Sequence, residues 1–214
     1  HSNHNANGQR KADGSVSFSL KNKNYPSWNT IVSPALKKMQ DNLIEKFSEQ
    51  EISTNYSPGG GSASLVPWVS LRPNGNGKNK AVTTQGIYLT FLFSQDGEKC
   101  VLAIMQGTQS YPGSYDKIKE HRKRVEIIKK YTKELESIPL SNSSLKSNFS
   151  TKLNQGFVDL KATKPKHIEW QHACAYWIEY KKGSVPGDDT LFRDVESMIS
   201  LYKMLASDSF LLKT

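Results

Sequence analysis

Cysteine is nearly missing from this chain: Cys100 and Cys174 are the only two in 214 residues, far apart and each inside an apolar run. That excludes a disulfide framework, and burial as small hydrophobes in a reducing compartment is the expectation for both. Metal-ligand clusters are also missing. Apart from His1 and His4 in the polar first residues, only His167 and His172 are close in sequence, and at that spacing they fall on different faces of a helix, so no metal pair is expected. No window approaches the roughly 20 uninterrupted apolar residues of a spanning helix. The first residues carry no apolar signal core, so a cytoplasmic protein with no membrane partner is expected. The glycine run SPGGGSAS lacks the Gly-Lys-Ser/Thr ending that reaches nucleotide phosphates, which argues against nucleotide hydrolysis. Asp188 and Asp189 precede a helical pattern and read as its N-cap, and Glu98, Glu169 and Glu179 have no evident partner. No catalytic residue, metal or cofactor is expected.

What the chain does have is positive charge. A formal net charge of +9 and a pI near 9.4 favour an acidic partner, with phosphate backbone the commonest. The length suits one domain with a sizeable core. Residues 1–24 are polar, rich in Asn, Ser, Gly and Lys, and read as a disordered tail or linker ahead of a domain over 25–210.

Along that domain, apolar residues from Ile31 to Phe47 recur at three- and four-residue steps, which predicts an amphipathic helix within 27–49. Leu65 to Leu71 reads as a short strand demoted to an edge or bulge by Pro67. Gly86 to Ser94 and Lys99 to Met105 read as a hairpin turning at Asp96-Gly97. Alternation puts Tyr88, Thr90, Leu92 and Ser94 on one face of the middle strand and Ile87, Leu89, Phe91 and Phe93 on the other. A second long helix spans 114–136, with Ile118, Val125, Ile128, Tyr131 and Leu135 as its apolar stripe and cations over its remaining surface. Gly156 to Leu160 is a candidate strand, His167 to Tyr180 an aromatic segment of open type, and 190–206 a C-terminal helix. The sum is an α+β fold: one central, mostly antiparallel sheet flanked by long amphipathic helices.

Two signals point to nucleic acid. Lys and Arg of the second helix, Arg122, Lys123 and Lys129 among them, would give several phosphate contacts, although Glu120, Glu126, Glu134 and Glu136 partly neutralise them. Aromatic residues near the strands would wall an unstacked base, which needs flat apolar surfaces on both sides. Phe91 and Phe93 read as core. Trp68, after a proline, and Tyr88, after Gly86, stand where a ring can be exposed.

The block Gly61, Leu65-Val66-Pro67-Trp68, Gly86-Ile87-Tyr88-Leu89, Leu92-Phe93, Val101-Leu102 and Gln106-Gly107 resembles the N-terminal domain of McrB-type modification-dependent restriction proteins. The resemblance extends more loosely through Ala173-Cys174 and Tyr180 to Gly183 to the final helix. It implies a module that recognises a modified base in double-stranded DNA, a methylated cytosine above all, by swinging it into a pocket. It also implies a separate effector, a nuclease or a GTP-driven motor. Trp68, Tyr88 and Leu92 match pocket positions, with Trp170 as the nearest further wall. Gly60, Gly61, Arg72, Lys78 and Lys80 join the helix cations as DNA-backbone residues, and Tyr56 is the candidate wedge. The alternatives are an RNA- or single-strand-binding module, or the targeting part of a nuclease whose catalytic domain lies upstream.

Overall fold

The computed structural model describes residues 9–10, 16–17, 31–50, 52–58, 65–72, 86–107, 116–136 and 149–206, with side chains from residue 31 onward except 134–136. Within the N-terminal stretch, β1 (Gln9–Arg10) pairs antiparallel with β2 (Val16–Ser17). The domain proper starts with α1 (Ser33–Lys46), where Pro34 sits in the first turn and needs no N–H partner. Then come β3 (Ser53–Ser57), β4 (Trp68–Arg72), β5 (Ile87–Phe93) and β6 (Lys99–Gln106). α2 (Lys117–Glu136), β7 (Leu153–Gln155), α3 (Pro165–Ala173), β8 (Cys174–Lys181) and α4 (Asp188–Ala206) complete it.

Strands β3 to β8 form one antiparallel six-stranded sheet in the order β3-β4-β5-β6-β8-β7. The hairpin of β5 and β6 turns where expected, with Gly97 at a positive φ of 73° and the Asp96 carboxylate accepting from the Ser94 hydroxyl and the Glu98 amide. β4 is an interior strand rather than an edge. Pro67 lies one residue before it, so the ladder loses no donor, and the Pro67 carbonyl accepts from the Phe93 amide at 3.0 Å.

The aromatic segment 167–180 divides at Ala173/Cys174 into helix and strand. Residues 157–160 form a strap rather than a strand. The strap is held by the Val158 amide on the Gln171 carbonyl at 3.0 Å and by Gln171 Oε1 on the Leu160 amide at 2.7 Å. Asp188 and Asp189 stand inside the first turn of α4, where carboxylates interact favourably with the positive end of the helix dipole, instead of capping it from outside.

Both faces of the sheet are covered. One buries Val69, Leu71, Leu89, Phe91, Leu102, Ile104 and Ile178 beneath α1, α4 and the Val125 and Ile128 positions of α2. Phe91 is core as expected, with Phe93 packed against it. The other face gathers Tyr88, Leu92, Val101, Ala103 and Met105 under Val158, Leu160 and the Trp170 and Ala173 positions of α3. Cys174 is buried in this second cluster, Cys100 packs half-buried against the first, and neither is bridged.

Candidate nucleic-acid interface

Because side chains alternate along a strand, the register fixes which residues meet on the second face. Trp68 lies directly opposite Leu92, which lies opposite Val101. One row over, Asn55, Ser70, Thr90, Ala103 and Trp177 follow one another across five strands. The next row brings Tyr88 opposite Met105, and the Arg72 guanidinium stands 5.4 Å from the centre of the Tyr88 ring. Burial pulls Arg72 below its ordinary pKa, yet an arginine remains charged and its cation faces the ring's negative π surface.

The face is therefore mixed, as its alternation foretells. The Ser70 and Thr90 hydroxyls, both almost fully buried, donate to backbone: Ser70 to the Asn55 carbonyl at 3.4 Å, Thr90 to that of Val69 at 3.3 Å or Phe91 at 3.2 Å. Tyr88 is 5% exposed and Leu92 1%, whereas Trp68 is half-buried at the rim of the same cluster. Burial raises the Tyr88 phenol, and its neighbour Cys174 adds to this, so the phenol stays neutral and can donate a hydrogen bond. Trp170 closes the cluster from α3, its ring 4.8 Å from that of His167 and 5.8 Å from Lys166 Nζ. His167 is lowered to about 4, chiefly by burial and then by Lys164 and Lys166.

The structure thus brings Trp68, Tyr88, Leu92 and Trp170 into one cluster. It turns Tyr56 away: opposite Val69, that ring packs on the first face beneath the helices and cannot act as a wedge beside Trp68. The helix cations are separate as well. α2 packs against α3 and β8, and β8 lies three strands from β4, about 14 Å at the usual strand spacing. On α2, Arg122 and Lys123 are exposed, whereas Lys129 is ion-paired with Glu126 at 2.7 Å. Gly60, Gly61, Lys78 and Lys80 lie outside the described residues. The polar strand β3, the short strands β1, β2 and β7, the strap at 157–160 and the Arg72 cation over Tyr88 all escaped the sequence patterns. For the last, the signal was available, because hairpin-like register between β4 and β5 puts residues 72 and 88 side by side.

A family model described as MrcB-like, N-terminal domain matches residues 17–207. The chain belongs to this family. The match covers every described element from β3 to α4, so the MrcB-like assignment rests on the whole sheet and not on the strand block alone. No curated protein matches the chain. MrcB-like membership implies a DNA-binding domain of a restriction system. Among the described residues no group of His, Cys, Asp and Glu is arranged to hold a metal ion, and no helix is long and apolar enough to cross a membrane.

Proposed function

We propose that this domain is the DNA-reading part of a modification-dependent restriction system, and that it recognises a methylated cytosine in duplex DNA after the base has left the stack. The observation that carries this reading is the convergence of Trp68, Tyr88 and Leu92 on one sheet face with Trp170 of α3 packed over it and the Arg72 guanidinium beside the Tyr88 ring. Trp68 and Tyr88 stack on the extruded base, Leu92 touches the methyl group and Trp170 forms the far wall. Unstacking a base costs a few kcal/mol, and flat aromatic surfaces restore that energy on the protein side.

The Tyr88 ring is 5% exposed, so this reading requires the aromatic wall to part before a base enters. Arg72 marks the end of the pocket nearest a phosphate. Gly60 and Gly61 let the backbone approach the gap left by the base, while Lys78 and Lys80, with Arg122, Lys123 and Lys129 farther along, hold the DNA backbone. Cleavage belongs to a nuclease or GTP-driven motor joined to this domain.

Measuring the affinity of wild type and Trp68→Ala for methylated and unmodified duplexes tests the reading. A methyl contact is worth about 1 kcal/mol or slightly more, so wild type should prefer the methylated duplex by about fivefold to tenfold. Trp68→Ala should bind both alike. A Trp68→Ala protein with full preference contradicts the pocket.

A further inference from the structure

Between α2, α3 and the strap lies a concavity of about 670 Å³, which shares only Ala162 with the edge of the Trp68 cluster. Its walls include Arg122, Glu126, Phe157, Ile168, Gln171 and His172. Phe157 is 52% exposed, the one ring among the exposed large apolar side chains of the described residues. An aromatic ring left in water on a mobile loop would signify little, but this one is held. The Gly156 amide donates to the Ala175 carbonyl at 2.9 Å, the Gly156 carbonyl accepts from Trp177 Nε1 at 3.1 Å, and Val158 is fastened to α3. The Phe157 ring leans on His172, centroids 4.8 Å apart.

The polar groups around the ring favour an anionic ligand. Arg122 Nε donates to His172 Nδ1 at 3.3 Å, which requires that nitrogen to be unprotonated and fixes the guanidinium at the rim. The His172 pKa is lowered, first by burial and then by Arg122, so the pairing persists at neutral pH. Lys119 and Lys123 are exposed one helical turn back and one residue on from Arg122. Glu126, the one carboxylate in the wall, is neutralised by Lys129. Gln171 spends its Oε1 on the amides of Leu160 and Ala162, so it offers a ligand a donor.

We infer that this concavity binds one unpaired nucleotide of a DNA strand, its base stacked on Phe157 and its phosphate on Arg122. The strap makes this a companion to the base pocket: Val158 and Leu160 point into the Trp68 cluster while Phe157 points the opposite way. The inference rests on the DNA-binding half of the proposed function and not on recognition of a modified base.

The test uses the whole chain and a short single-stranded DNA carrying 2-aminopurine. Base stacking on an aromatic is commonly worth enough to change affinity about tenfold. Wild type should quench the reporter, Phe157→Ala should weaken binding about tenfold, Phe157→Tyr should restore it, and Arg122→Gln should weaken it with a salt slope shallower by about one contact. The ratio between methylated and unmodified duplex should be unchanged in Phe157→Ala, which separates this site from the one that Trp68→Ala disables. Unchanged single-strand affinity in a folded Phe157→Ala protein overturns the inference, as does tighter binding of RNA of the same sequence.

Discussion

The two faces of the central sheet are made by the same strands yet obey different rules. Under α1 and α4, the inward residues of β4, β5 and β6 are mainly Val, Leu, Ile and Phe; on β8 Tyr176, Ile178 and Tyr180 join them, and the buried Tyr180 hydroxyl donates to the Asp194 carboxylate of α4 at 3.2 Å. On the opposite side the same strands present Trp68, Ser70, Arg72, Tyr88, Thr90 and Leu92. Burying a hydroxyl or a guanidinium costs free energy unless each finds a partner, and apolar residues of equal size would stabilise the domain as well or better. On the first face the buried carboxylate is fully partnered within the fold, by the Tyr180 hydroxyl and the Ser150 and Thr151 amides. The second sets buried hydroxyls on backbone carbonyls and a guanidinium over an aromatic ring, and aromatic surface with a cation beside it is what the proposed contact with a nucleobase and its phosphate would use.

The largest effect that would sharpen this contrast comes from Leu89→Ala, a fully buried truncation on the first face. It should cost about 3–5 kcal/mol of stability, measured by urea denaturation, and leave the preference for methylated duplex intact in the folded protein. Equal loss of stability and preference would merge the two faces into one.

Acid should act on the α2 and α3 side. His121 and His167 are both lowered to about 4, in each case mainly by burial, against a usual value of 6.5. Their folded pKa values lie below the unfolded ones, so the stability they confer is present above about pH 6.5 and is lost as pH falls toward 4. The full loss is on the order of 3 kcal/mol per histidine. Because His167 leans on Trp170, tryptophan emission should change in that window before the far-ultraviolet signal of the whole domain does. Simultaneous loss of both signals would remove the distinction.

Trp68→Ala should lose the preference of up to about tenfold, roughly 1.4 kcal/mol, at small cost in stability, since this ring is half-buried at the rim. The smallest effects belong to the α2 cations. Lys123→Ala should weaken all duplexes alike and flatten the salt slope by about one. Lys129→Ala should do less, because its ammonium is already neutralised by Glu126. A sequence-dependent effect of either lysine would move specificity away from the sheet.

Wherever apolar residues repeat at a helical or strand period, the sequence is enough to place the element. α1, α2, α4 and the β5–β6 hairpin follow this rule, and so does the sharing of one face by Tyr88 and Leu92. Strand β3 does not, because Ser-Thr-Asn-Tyr-Ser at a sheet edge has no apolar alternation to report. The strap at 157–160 carries strand-like residues, but its amides bond α3 rather than a ladder, and only the fold reveals that. Trp170 joins the cluster of Tyr88 from a helix remote in sequence, a grouping that no local pattern encodes. Tyr56 shows the reverse: period two sends it to the helix-covered face once its register with Val69 is known.

The most direct measurement places 2-aminopurine beside the methylated cytosine of a duplex and follows its emission on binding. The account predicts a rise with wild type, as the neighbouring base leaves the stack, and no rise with Trp68→Ala at saturation. A bound wild-type complex in which the emission stays at the level of free duplex would contradict it.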